Sequence, residues 1–257
     1  MKKILLTSGD SYTDKNWFSE IHPDIDTGWP KWPELLAKKL DMECVNLGKS
    51  GAGNEYIYTS LLDYITDKKT VIENIGLVIP AWSQCQRKDY QQGQSGRWTN
   101  FRLDPHGDAY SWVNRSLKYY LSFQIMCERY NLNYLQMQMI DFYSSVLNGL
   151  SYGHGDIFKN PTLVDKKIKY TQGNKERDLK RILNCILNYD KKINEKKFLG
   201  WPIAKEFNGF IMCGKSSSPI FSKNEGERLK FQVSYLDDHP NKIGQEKIAE
   251  FIYDRLG

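Results

Sequence analysis

Three short apolar runs, separated by stretches of helical periodicity, constrain the fold of this chain more than any other feature. Lys3–Ser8, Glu43–Leu47 and Ile75–Trp82 have the length and the aliphatic, β-branched content of buried strands. Between them, Trp32–Leu40 repeats Leu35, Leu36 and Leu40 at helical spacing, with Pro33 near its start, and Asn54–Thr66 reads as a second helix with Asn54 as its cap. Further along, Ser111–Tyr130 is predicted to be a long helix and Tyr134–Ile140 a fourth strand. Glu176–Asn194 reads as a helix charged on one face, Phe198–Ile211 fits neither period, and Ile243–Leu256 reads as an amphipathic closing helix. Such alternation predicts an α/β fold, a three-layer α/β/α sandwich around a mostly parallel sheet. The expected organisation is one domain over residues 1–257, with loop insertions around 14–30, 84–107 and 142–172.

In open parallel sheets, ligands sit beyond the carboxyl ends of the strands. Ser11, Gly51 and Gln84 each follow one of the first three predicted strands, so the fold would gather them at one edge. A serine hydroxyl becomes a nucleophile when a base takes its proton, and the base needs a third group to fix its tautomer. Gly9-Asp10-Ser11 taken alone is also an ordinary turn. The segment Tyr235-Leu236-Asp237-Asp238-His239-Pro240-Asn241, just before the closing helix, adds a histidine and a carboxylate two residues apart.

Together these residues resemble the SGNH/GDSL hydrolase family. Gly9-Asp10-Ser11-Tyr12-Thr13 is similar to its first block, Asn46-Leu47-Gly48-Lys49-Ser50-Gly51 to its second, and Asp237-Asp238-His239-Pro240 to its last. The resemblance implies a flavodoxin-like SGNH fold and a serine esterase. In that scheme Ser11 is the nucleophile, His239 the general base and Asp237 the residue that orients it, with Asp238 as the alternative. The backbone N–H groups of Ser11 and Gly51 would hold the oxyanion.

Two blocks depart from the family pattern. The family usually places its aspartate three residues before the histidine, where this chain has Leu236. Its third block, Gly-x-Asn-Asp, is replaced by Ala81-Trp82-Ser83-Gln84, so Gln84 is matched to the missing asparagine donor, with Asn54 as its rival. Arg87 and Asp10 are read as substrate-contacting, Arg87 by pairing a substrate carboxylate, with a structural salt bridge as the alternative. The Arg87 spacing is similar to that of phage-like members, which implies a phage-associated setting.

Composition narrows the partners. The net charge of +5 is spread over mixed-sign segments such as Lys175–Arg181 and Lys191–Lys197, the pattern of solvated helix surfaces rather than of a nucleic-acid track. Cys44, Cys85, Cys127, Cys185 and Cys213 form no CxxC pair, which fits reduced thiols. Met1–Leu6 is too short in apolar residues for a signal peptide and no stretch reaches the length of a membrane span, so a cytoplasmic protein, or one released by lysis, is expected. His22 and His106 lie in predicted loops and His154 sits between two glycines without a partner at ligand spacing, so no metal and no cofactor are expected. The expected partner is a small-molecule or glycan ester, with O-acetylated carbohydrate favoured. Two other readings stand beside the esterase: a degenerate SGNH domain that binds glycans or protein without turnover, and a flavodoxin-like phosphate binder. The order of glycines in Gly48–Gly53 disfavours the latter.

Overall fold

Parallel strands cannot be joined by tight turns, so each pair in this chain is bridged by a helix that must pack back on the sheet. In the computed structural model, which describes residues 2–102, 104, 106–140, 181–182, 184–189, 191–200 and 229–257, that logic gives five parallel strands with helices on both faces. In chain order the elements are β1 (Ile4–Ser8), α1 (Trp32–Lys39), β2 (Glu43–Asn46), α2 (Asn54–Thr66), β3 (Ile75–Trp82), β4 (Lys88–Gln92), β5 (Arg97–Phe101), α3 (Ala109–Arg129), β6 (Gln136–Gln138), β7 (Phe198–Leu199) and α4 (Lys242–Leu256). Residues 181–182 and 184–189 are helical as well. The sheet order is β2-β1-β3-β6-β7, and every neighbouring pair is parallel.

Alternation along the strands splits the core in two. Leu5, Leu77, Ile79 and Ala81 face α1 and α4, where Trp32, Leu36, Ile248 and Ile252 are fully buried. Leu6, Val78 and Trp82 face α2 and α3, against Ile57, Leu61, Leu117 and Phe123. Burying a side chain of this size contributes about 1.5–3 kcal/mol, so the two faces together fix the strand register.

Three expectations are corrected. Residues 84–107 are not a plain loop: β4 and β5 form an antiparallel hairpin with Asp89 opposite Asn100. Asn54 does not cap α2; Gly53 is the cap residue, and because it has no side chain the capping carboxylate comes from the hairpin. Asp89 accepts the Gly53 N–H at 2.9 Å and the Tyr56 N–H at 3.0 Å through its two oxygens. The fourth strand is also shorter than Tyr134–Ile140, because pairing with β3 reaches only Ala81 and Trp82, with one isolated bridge at Tyr134. The insertion expected at 142–172, including His154, lies outside the described residues.

Candidate active site

Ser11 lies three residues beyond β1, in a turn closed where the Asp10 carbonyl accepts the N–H groups of Thr13 and Asp14, both at 2.9 Å. Gly9 makes that turn feasible: a Cβ there would come within 2.2 Å of Thr13 Oγ1 and 3.0 Å of the Ala81 side chain. The turn leaves Ser11 partly exposed at the carboxyl edge of the sheet.

His239 reaches the same edge from the start of α4. Asn241 caps that helix by accepting the Gly244 N–H at 3.0 Å. The preceding turn is held by Ser234, whose Oγ accepts the N–H groups of Leu236 (3.1 Å) and Asp237 (3.0 Å). His239 Nε2 lies 2.8 Å from Ser11 Oγ, and His239 Nδ1 lies 2.7 Å from Asp237 Oδ1. The same Asp237 oxygen accepts the His239 backbone N–H at 3.2 Å, so a spacing of two residues suffices to present the carboxylate to the ring. It is Asp237, not Asp238, whose oxygens take this position. The Asp238 carbonyl accepts the Tyr12 hydroxyl at 3.3 Å.

Burial pushes the Asp237 carboxyl upward, but hydrogen bonds from His239 and Ser19 outweigh it and hold the group down at about 2. An ionised carboxylate only accepts, so the ring proton belongs on Nδ1 and the Nε2 lone pair is left facing the serine hydroxyl. The imidazole is clasped between two aromatic rings, with Trp17 stacked at 4.4 Å and Tyr12 tilted at 4.7 Å between centroids.

Ser19 carries no motif and is the residue that sequence reasoning missed. Its hydroxyl donates to Asp237 Oδ2 at 2.5 Å, and its Oγ accepts the His22 N–H at 3.0 Å. His22 Nε2 meets Ser234 Oγ at 2.7 Å, so the segment from Ser19 to His22 grips the Asp237 turn from outside. The chain on either side of that segment is anchored by the buried Lys31, whose Nζ donates to the Thr27 carbonyl at 2.6 Å and lies 5.7 Å from the centre of the Trp17 ring. Ser19→Ala is expected to cost about 1.5–3 kcal/mol, the scale of a hydrogen bond to a charged group. It should lower turnover by about tenfold to a hundredfold through a looser Asp237. Urea unfolding and ester kinetics on the same variant check both.

Gly51 lies in the loop after β2 with φ +79°, a left-handed conformation that favours glycine. Asn100 of β5 overhangs it so closely that a Cβ on Gly51 would fall 2.7 Å from Asn100 Oδ1. Among the described residues, neither the Ser11 nor the Gly51 backbone N–H donates to a protein acceptor. Gln84 is partly exposed, and its Oε1 accepts from Gln86 Nε2 at 2.8 Å, which leaves its own amide N–H groups for another partner.

Three expected site residues serve other ends. Asn54 is buried with its amide fully engaged: Oδ1 accepts the Ser83 N–H at 2.7 Å, and Nδ2 donates to the Ser83 carbonyl at 3.2 Å and Ser116 Oγ at 3.0 Å. It braces α2 against the end of β3 and has no donor to offer an oxyanion. Asp10 is completely buried, and Arg87 Nη1 donates to its Oδ2 at 3.1 Å. The Arg87–Asp10 pair is a structural salt bridge: Asp10 is closed off from any ligand, and Arg87 spends its Nη1 on the fold.

Asp237, Asp238 and His239 offer ligand atoms within 4.8 Å of one another. The four described cysteines, Cys44, Cys85, Cys127 and Cys185, are free, and burial pushes the Cys44 thiol up to about 12, far from a thiolate nucleophile. No described helix is long and apolar enough to cross a membrane.

No protein-family model matches the chain, and no curated protein matches it. Solved structures similar to it include a protein assigned to the G-D-S-L lipolytic family from Desulfitobacterium hafniense DCB-2. That structure is 14% identical, with 98% of this chain and 99% of that one covered and a TM-score of 0.45. The acetyl xylan esterase AlAXEase is 13% identical, covering 99% and 100% of the two chains, with a TM-score of 0.47. The lipase Lip_vut3 from a goat rumen metagenome is 11% identical, covering 98% and 97%, with a TM-score of 0.45. The chemistry of the site rests on its own geometry.

Proposed function

We propose that this chain is a serine esterase of the SGNH type, which cleaves a small acyl ester through an acyl-enzyme on Ser11. The observation that carries the reading is the unbroken line from Ser11 Oγ through His239 to Asp237, with contacts of 2.8 and 2.7 Å and the carboxylate ionised. Ser11 Oγ attacks the acyl carbonyl while His239 Nε2 takes its proton, and Asp237 stabilises the imidazolium that forms. The C–O bond to the alcohol then breaks, and His239 returns the proton to the leaving oxygen. A water molecule, deprotonated by His239, attacks the acyl-enzyme and releases the acid and the free serine.

The carbonyl oxygen gains charge in both tetrahedral stages and needs donors already in place. The unpaired N–H groups of Ser11 and Gly51 are the proposed donors, with the Gln84 amide as a third. Each such donor contributes about 3–4 kcal/mol to transition-state stabilisation.

The substrate we propose is an O-acetylated carbohydrate. The hairpin that overhangs Gly51 carries partly exposed aromatic residues, with Tyr90 and Phe101 meeting edge to face at 5.6 Å between centroids. Such rings offer flat apolar surface to the C–H face of a sugar. Acetate release from acetylated xylo-oligosaccharides, measured beside p-nitrophenyl acetate hydrolysis, tests this. Turnover of both supports the reading. Turnover of the small ester alone would overturn the carbohydrate assignment, and turnover of neither would favour a binding module without catalysis.

A further inference from the structure

The two proposed oxyanion donors follow different strands, and one side chain bonds to a residue adjacent to each, through the Asp10 carboxylate on one side and the Ala52 carbonyl on the other. Arg87 Nη1 donates to Asp10 Oδ2 at 3.1 Å and to the Ala52 carbonyl at 2.9 Å. Asp10 immediately precedes Ser11, and Ala52 immediately follows Gly51. Asp10 is tied into the Ser11 turn by its other oxygen, which accepts the Tyr12 N–H at 3.1 Å, and to the end of β3 through Ser83 Oγ at 3.0 Å. Arg87 is itself held in place, because Arg115 Nη2 donates to its carbonyl at 2.9 Å.

Two residues further along the hairpin, Asp89 takes the Gly53 N–H at 2.9 Å. The Ala52 carbonyl and the Gly53 N–H belong to one peptide plane and point in opposite directions in a trans peptide. Arg87 and Asp89 therefore grip the same plane from its two ends. Gly51 holds a left-handed backbone at φ +79°, and a fixed plane at Ala52–Gly53 limits how far its neighbours can rotate. Hydrogen bonds to charged groups are the stronger class, and two of them act on this one plane.

We propose that Arg87 is a positioning residue of the oxyanion site, setting the Gly51 loop against the Ser11 turn. This rests on the ester-cleaving reading above. A lysine at the same place keeps the charge beside Asp10 but offers a single nitrogen in place of a planar fork, so it cannot hold both partners in the same geometry. Removing the guanidinium altogether strands a buried carboxylate, so Arg87→Lys is the primary variant and Arg87→Ala the one to be rescued.

The test uses the full chain and three readouts: hydrogen exchange of peptides covering residues 48–56, kcat and KM for p-nitrophenyl acetate, and restoration of Arg87→Ala activity by methylguanidinium. In Arg87→Lys, exchange in that loop should rise roughly tenfold. Its kcat should fall by about tenfold to a hundredfold, with KM changing less than about threefold. Methylguanidinium should restore part of the Arg87→Ala activity and none of the Ser11→Ala activity. Wild-type exchange and wild-type kcat in Arg87→Lys, beside a reactive wild type, overturn the positioning role alone. An unreactive wild type overturns the ester-cleaving reading instead, and the exchange data then still decide whether Arg87 holds the loop.

Discussion

Ser11→Ala and His239→Ala should each lower kcat for p-nitrophenyl acetate by on the order of 10⁴- to 10⁶-fold, and the double variant should lose no more than either single one. The hydroxyl and the imidazole act as one unit: without the base the serine keeps its proton, and without the serine the base has nothing to activate. Non-additivity separates this account from one in which His239 merely packs between Trp17 and Tyr12. A packing role would give a modest loss that multiplies with the Ser11 loss. Stability is not expected to follow activity in Ser11→Ala, because the side chain is partly exposed and, among the described residues, hydrogen-bonds only to His239. Circular dichroism and thermal unfolding of each variant make that comparison.

The second large effect belongs to Asp237. Asp237→Asn is expected to reduce kcat by about 10⁴-fold. An amide presenting its nitrogen to the ring would force the proton onto Nε2, where it blocks acceptance from Ser11. An amide presenting its oxygen would leave the imidazolium without a charge partner, and would turn its NH₂ against the Ser19 hydroxyl that now donates to Oδ2.

The same substitution has a signature in stability. The Asp237 carboxyl sits at about 2 in the folded chain against an ordinary 3.8. A depressed carboxyl contributes stability that is present above the unfolded value and is lost as pH falls through the folded one. The contribution is on the order of 2 kcal/mol, and the window lies between pH of roughly 4 and 2. Urea midpoints of the wild type should fall across that window more steeply than those of Asp237→Asn. Parallel curves for the two proteins would contradict the assignment of the ionised carboxylate.

Much of the frame was legible because its signals are local. The Asn54–Thr66 helix and the Ile75–Trp82 strand appear with the bounds their periodicity predicts. Ser11 and Gly51 could be placed together because a parallel sheet sends every strand end to the same edge, whereas His239 is joined to them by the Asp237-Asp238-His239-Pro240 segment and the family resemblance it carries. The departures all involve long-range partners. The β4–β5 hairpin has the segments KDYQQ and RWTNF, too polar to show a buried period, and it is pinned by Asp89 to a helix end far earlier in the chain. Asn54 looks like a cap or a donor until β3 places the Ser83 backbone on both ends of its amide. Asp10 and Arg87 look like free charges until the fold buries one against the other. Ser19 gives no sign at all, because its role exists only once the loop before α1 lies on the Asp237 turn.

The central claim is that Ser11 is an activated nucleophile, and labelling with a fluorophosphonate followed by mass spectrometry tests it without any assumption about the natural ester. The account predicts one phosphonyl adduct per chain, located on Ser11, absent from Ser11→Ala and strongly slowed in His239→Ala. A folded wild-type protein that takes no adduct, or takes it on another residue, would contradict it.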